Sequence, residues 1–167
     1  MTRLQRIAFL VIVLASAASA AGFVVLRYMV EPADEFSAYG HPAAPWLLDA
    51  HVLLATALTL VLGVLLGVHV LPSLSGERRA RKTGILLLAS AAILVASGPL
   101  LGCLSGELAR VVCGWVHGLS GVVFTLGIPV HLAEVRRARR QECARFEALQ
   151  RGPRARRERP RRFVGAR

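Results

Sequence analysis

The sequence predicts an all-α fold, an integral membrane four-helix bundle with both termini in the cytoplasm. Three observations predict it: 54% of the 167 residues are apolar, the apolar residues fall into four long runs, and all lysines and arginines except Arg27 lie between or outside those runs. Runs that are apolar on every side need lipid or a large protein interior around them, and a chain of this length has no large interior.

Each run has about the ~20 residues that an α-helix needs to cross ~30 Å of hydrocarbon. The runs cover residues 7–30, 46–71, 83–101 and 111–133. We therefore predict a four-helix transmembrane domain in residues 1–133. Residues 134–167 are predicted to form an Arg-rich cytoplasmic tail that is partly helical and then disordered.

The first run has an alternative interpretation as a cleaved secretory signal. Arg3 and Arg6 precede an apolar stretch, and Ala18-Ser19-Ala20 resembles a cleavage site. The apolar run continues to Leu26, which is longer than the apolar part of a typical signal and favours a retained helix. Cleavage would leave the other three helices in the same orientation.

The positive charges predict that orientation. Arg3 and Arg6 precede the first run, residues 78–82 hold four basic side chains between the second and third runs, and the tail follows the fourth. Because positively charged loops stay in the cytoplasm, we predict a multi-pass protein of a bacterial inner membrane with cytoplasmic N and C termini.

The tail accounts for most of the net charge. It holds thirteen arginines and four glutamates, a charge of +9 out of the +11 of the whole chain. The basic excess thus belongs to a tail, and the chain lacks the folded basic surface with stacking aromatics that a nucleic-acid-binding protein uses. The expected partner of the tail is the lipid bilayer, through attraction to anionic headgroups.

Four of the five histidines lie inside predicted helices. His51 and His69 belong to the second, and His117 and His131 to the fourth. These two helices cross in the same direction, so the first member of each pair lies near the outer face and the second near the inner face. Eighteen steps separate the first pair, which is five full turns at ~100° per residue, and the fourteen steps of the second pair leave ~40° between its members. Each helix is therefore predicted to present an outer and an inner histidine on one side.

Two such helices side by side can hold two stacked haems, because a bis-imidazole haem takes one neutral histidine nitrogen on each side of its iron. We expect two haem b groups per chain, with His51 and His117 on the outer iron and His69 and His131 on the inner iron. The axial rise is about 27 Å in the second helix and about 21 Å in the fourth, so helix tilt has to absorb ~6 Å. His41, in the loop before the second helix, is the alternative to His51, a residue at the outer haem edge, or a plain surface residue.

Other interpretations of the histidines are weaker. A single histidine in a membrane helix can serve only to hydrogen-bond a neighbouring helix, but ionisable residues at this depth are rare and functional by default. A zinc or copper site is disfavoured because the histidines of each helix lie ~20 Å or more apart, and no CxxC, ExxH or HExxH motif joins them. Small-xxx-small glycine pairs indicate close helix packing or room for a porphyrin face; they are Gly63/Gly67, Gly98/Gly102 and Gly114/Gly118.

The motif residues resemble known proteins. His117 and His131, with thirteen residues between them, have a spacing similar to that in membrane cytochromes b, including the cytochrome b subunits of formate dehydrogenases and nickel–iron hydrogenases. The segment Glu35-Phe-Ser-Ala-Tyr-Gly-His41-Pro, followed by Pro45-Trp46 and His51, resembles a family of small bacterial four-helix cytochrome-b-like membrane proteins. The resemblance covers about residues 1–133 and implies bis-His haem b. The dehydrogenase subunits also take a ligand from their first helix, whereas the first run here has no histidine, so their partner and substrate do not carry over.

The expected function is that of a membrane b-type cytochrome, an electron-transfer subunit of a membrane oxidoreductase rather than a stand-alone enzyme. It would pass electrons across the membrane between quinone or quinol and a redox partner protein, because bis-His ligation leaves no open iron position for a substrate. The alternative is a non-redox scaffold or transporter subunit whose histidines bind protons or metal. Cys103 and Cys113 flank an outer loop that a disulfide could close, and Cys143 is expected to be a free thiol on the reducing side.

Overall fold

The architecture is all-helical, as predicted. The computed structural model describes residues 3–31, 40–74 and 81–157, and in these every regular element is a helix. The four long helices are α1 (Arg3–Tyr28), α2 (Ala44–Leu65), α3 (Arg81–Cys103) and α4 (Glu107–Arg157). Part of the motif before His41, residues 35–39, and the basic residues Arg78 and Arg79 lie outside the described residues.

All four helices are long and apolar enough to cross a membrane. The spans that meet this criterion are Arg3–Tyr28, Ala44–Val70, Lys82–Cys103 and Glu107–Gln150, and three of them begin and end within a few residues of the predicted runs. The fourth is longer because α4 continues past the apolar residues. Helices satisfy every interior backbone hydrogen bond within themselves, which is what an apolar solvent demands.

The helices pack as two antiparallel hairpins, α1 with α2 and α3 with α4, and the hairpins meet where α1 contacts α4. The most buried apolar residues are Val13, Ala91, Phe124 and Ile128, with Leu58 of α2 packed against them. This cluster lies at mid-height, between the levels of His117 and His131. Large apolar side chains remain exposed on all four helices, a surface that monomeric soluble proteins avoid.

The second helix is not regular to its end. After Leu65 it widens into a π turn, Leu66–Val70, and finishes with the helical turn Leu71–Leu74, which contains Pro72. Proline lacks an N–H and its ring clashes with the carbonyl four residues back, which here is that of Val68 inside the π turn. The wider turn relieves this crowding, and the Leu71 amide bonds five residues back to Leu66.

The fourth helix runs without a break from the outer loop into the tail. It ends at Arg157, so the tail is helical over more than half of its length, and residues 158–167 lie outside the described part. The side chains described between Arg136 and Gln150 are mostly exposed, including Phe146 and Leu149. The histidines of α4 and the basic segment therefore belong to one continuous helix.

Candidate functional site

The structure brings two of the predicted ligands together. The rings of His51 on α2 and His117 on α4 have centroids 6.3 Å apart, with an angle of 89° between their planes. Both side chains are half-buried. They lie at the end of the bundle where α2 and α4 begin, which we call the outer end after the predicted orientation.

The first helix, which has no histidine, orients His51. The Nδ1 atom of His51 lies 3.0 Å from the carbonyl oxygen of Ser16, and the Ser16 and Ser19 hydroxyls lie 3.5 and 3.4 Å from the same nitrogen. A carbonyl oxygen can only accept a hydrogen bond, so Nδ1 carries the proton and donates. In the neutral ring this leaves the Nε2 lone pair available.

The third helix orients His117 in the same way. The hydroxyl of Ser97 donates to the carbonyl of Ile93, 2.6 Å away, so its oxygen accepts from Nδ1 of His117 at 2.8 Å. The next residue, Gly98, leaves room for the ring, because a Cβ added there would lie 3.6 Å from the Cε1 atom of His117. The Cys113 thiol donates to the Ser97 carbonyl at 3.6 Å.

His131, toward the other end of the α3–α4 hairpin, has equivalent hydrogen-bond partners. The Thr83 hydroxyl donates to Oε2 of Glu134 at 2.7 Å and so accepts from Nδ1 of His131 at 3.0 Å. Gly84 leaves room for this ring, since a Cβ there would lie 3.4 Å from Cε1. His131, Thr83 and Glu134 are all half-buried.

Sequence analysis missed these hydroxyl–glycine pairs, although the sequence carries their signal. Thr83-Gly84 and Ser97-Gly98 are fourteen residues apart on α3, the same spacing as His131 and His117 on α4. Because the two helices are antiparallel neighbours, equal spacing puts one pair beside each histidine. The hydroxyl fixes the ring nitrogen that carries the proton, and the glycine admits the ring. Of the six glycines noted as packing pairs, Gly63, Gly67, Gly102 and Gly118 face open space.

The second ring nitrogen of these three histidines remains available to a ligand. Across residues 3–31, 40–74 and 81–150, no hydrogen bond engages Nε2 of His51, His117 or His131. No buried side-chain nitrogen or oxygen among the described atoms lacks a partner, so these nitrogens are accessible and not sealed among packed side chains. A histidine that binds a metal generally donates its other N–H to a carbonyl, carboxylate or similar acceptor, which is the arrangement all three show.

His69 lies in the π turn and its side chain is exposed. The prediction of five full turns from His51 assumed a regular α-helix. A π turn has i→i+5 hydrogen bonds and is wider than an α turn, so the calculation of five full turns at 3.6 residues each does not apply between His51 and His69. π turns inside α-helices occur often at functional sites.

His41 has a local role in the structure. Its Nδ1 atom accepts a hydrogen bond from the Ala43 amide at 3.1 Å, and its carbonyl accepts one from the Ala44 amide at 3.0 Å. The imidazole thus closes the turn that leads into α2. Its protonation is opposite to that of His51, because Nδ1 is the acceptor and Nε2 carries the proton of the neutral ring.

The described residues bring potential metal ligands together as a pair, His51 and His117. No group of three or more His, Cys, Asp or Glu side chains in the described ranges could hold a metal ion, whereas protein-bound zinc usually has three or four such ligands. Haem brings its own four nitrogens and asks the protein for two axial donors. None of the three cysteines Cys103, Cys113 and Cys143 forms a disulfide.

Comparison with known proteins adds no relative: no family model matches the chain, and no curated protein or solved structure does so either.

Proposed function

We propose that this protein is a membrane b-type cytochrome that holds two haem b groups and transfers electrons across the bilayer. His51 and His117 bind the outer iron, and His69 and His131 the inner iron. The haems supply one-electron reduction and oxidation. The observation that carries the proposal is the geometry of His51 and His117, two half-buried imidazoles on same-direction helices whose Nε2 atoms are both available.

The distance between the two rings supports one shared iron. An imidazole nitrogen lies about 2 Å from a bound metal, and the centre of a five-membered ring is about 1 Å further. Two such rings on opposite sides of one iron have centroids about 6 Å apart, an estimate built from the same bond length. The 6.3 Å separation agrees. The angle of 89° is compatible because each imidazole can rotate about its own bond to the iron.

The helices supply the setting that such a site needs. Their exposed apolar side chains match a lipid environment, and the positive loops favour an orientation with the His51 end outside and the His131 end inside. Sites at the two ends connect the two faces of a bacterial inner membrane. Bis-His iron takes no substrate directly, so the partners we propose are quinone or quinol and a redox partner protein.

The decisive experiment is an optical one. We expect the full chain, expressed with ample haem and purified in detergent, to contain about two non-covalent haems and to show the reduced-minus-oxidised spectrum of a bis-imidazole b-type cytochrome. A haem assay against protein concentration measures the ratio. A colourless protein that is folded by circular dichroism would refute the cytochrome and favour a scaffold or transporter subunit whose histidines bind protons or metal.

The proposed orientation has its own test. Cys143 lies on the tail side of α4 and is exposed, whereas Cys103 is exposed at the opposite end of the bundle. In intact cells a membrane-impermeant maleimide should therefore label Cys103 and leave Cys143 unmodified until the membrane is opened. Single-cysteine variants separate the two signals. Labelling of Cys143 from outside would reverse the orientation and exchange the two haem faces.

A further inference from the structure

The hydrogen-bond chains that begin at His117 and at His131, at the two ends of the α3–α4 hairpin, end on different acceptors. At the outer end the hydrogen-bond chain from His117 passes through Ser97 and stops at a neutral backbone carbonyl, that of Ile93. At the inner end the chain from His131 passes through Thr83 and stops at the carboxylate of Glu134. The distances are similar at the two ends, whereas the last acceptor is neutral at the outer end and a carboxylate at the inner end.

A carboxylate at the end of such a chain changes the ligand. Hydrogen bonds to an ionised acceptor are roughly twice as strong as neutral ones, and bonds in a chain polarise one another. The Thr83 hydroxyl is therefore the better acceptor for the His131 N–H, which makes that imidazole a stronger electron donor to a bound iron. A stronger axial donor and a nearby negative charge both stabilise ferric over ferrous iron.

The position of Glu134 favours this effect. Its carboxylate is half-buried, whereas the neighbouring cationic residues Lys82, Arg136 and Arg137 are exposed. Exposed charges are screened by water and salt more than partly buried ones. Glu134 is three residues beyond His131, so it lies on the same side of α4 and reaches the α3 hydroxyl that holds the ring.

Resting on the proposed function, we propose that Glu134, acting through Thr83, is a positioning residue that gives the inner haem a lower midpoint potential than the outer one. Ser97 orients its imidazole without adding charge. The asymmetry makes the outer haem the preferred location of a single electron.

Redox titration of the purified two-haem protein tests this. Glu134→Gln keeps an amide oxygen that can accept from Thr83 and removes only the charge. We expect it to raise the ratio of reduced to oxidised inner haem at a fixed potential about tenfold, the lower end of the effect that hydrogen-bond partners of metal-bound histidines have on metal affinity or activity; for one electron this is about 59 mV. The outer haem should titrate as before. The inner component is identified as the one missing in His131→Leu.

Matched variants exclude a merely structural effect. Thr83→Val cuts the chain and should shift the same component, and Thr83→Ser should restore it, while Ser97→Ala should affect only the outer component. A Glu134→Gln protein that retains both haems with an unchanged inner potential would overturn the proposal and leave the cytochrome intact. A wild-type protein without haem refutes the proposed function instead, so the two failures are distinguishable.

Discussion

Replacing His117 with leucine should halve the haem content of the purified protein and leave a spectrum with a single component. His51 alone cannot provide both axial bonds of the outer iron, and leucine has no donor atom. His131→Leu should remove the other component, and His69→Leu should resemble it. Haem content per chain, with circular dichroism to verify folding, measures the result.

His41→Leu is the matched control for this series. Its Nδ1 atom already accepts the Ala43 amide, so we expect both haems to remain, with at most a small loss of stability in the turn before α2. His51→Leu should instead remove the outer haem. If His51→Leu keeps both haems and His41→Leu loses the outer one, the outer ligand comes from the loop and the assignment of His51 is wrong.

A second large effect on haem content is expected at Gly98, which has no side chain that could bind the haem. Gly98→Leu should remove the outer haem, because its Cβ lies at ordinary contact distance, 3.6 Å, from His117, and the remaining side-chain atoms would displace the ring. Gly98→Ala should be tolerated for the same reason. At the inner end, Gly84→Leu should displace the His131 ring and remove the inner haem in the same way. The measurement is the amount of each haem component that remains in the purified variant.

Gly102→Leu provides the comparison within the same helix. It carries the same change in volume and apolarity, yet nothing lies within 4 Å of a Cβ at this position. We expect it to retain both haems. Equal haem loss in Gly98→Leu and Gly102→Leu would show that bulk anywhere in α3 disrupts the bundle and that the glycine beside His117 has no special part.

The long-range contacts explain what could be predicted from sequence and what could not. Hydropathy locates the four helices because each run depends only on its own residues, and the positions of His51 and His117 follow from helical geometry. The functions of Ser16 and Thr83 could not be predicted in this way, since a hydroxyl in an apolar helix usually bonds its own backbone and its histidine partner lies 35 or 48 residues away. The sequence shows that the Ser97-Gly98 and Thr83-Gly84 pairs have the same spacing as His117 and His131. This spacing predicts contacts only once α3 and α4 are known to be antiparallel neighbours.

The π turn could not be predicted from the sequence for a different reason. Periodicity assumes a constant 3.6 residues per turn, and this assumption fails where Pro72 and the preceding turn compete for space. The error affects only His69, which lies in the π turn, whereas His51 precedes it. A proline within four residues after a candidate ligand is therefore a reason to distrust a calculated helical phase at that ligand.

The two-hairpin architecture has a consequence for assembly. His51 is oriented by α1 and His117 by α3, so each histidine of the outer site is held by the other helix of its own hairpin and not by the opposite hairpin. The rotational entropy of each ring is lost when its hairpin forms, and that cost no longer opposes cofactor capture. The hairpins meet in the mid-height apolar cluster and at the His51–His117 pair, so haem bound between these two histidines would add a further link between the two hairpins.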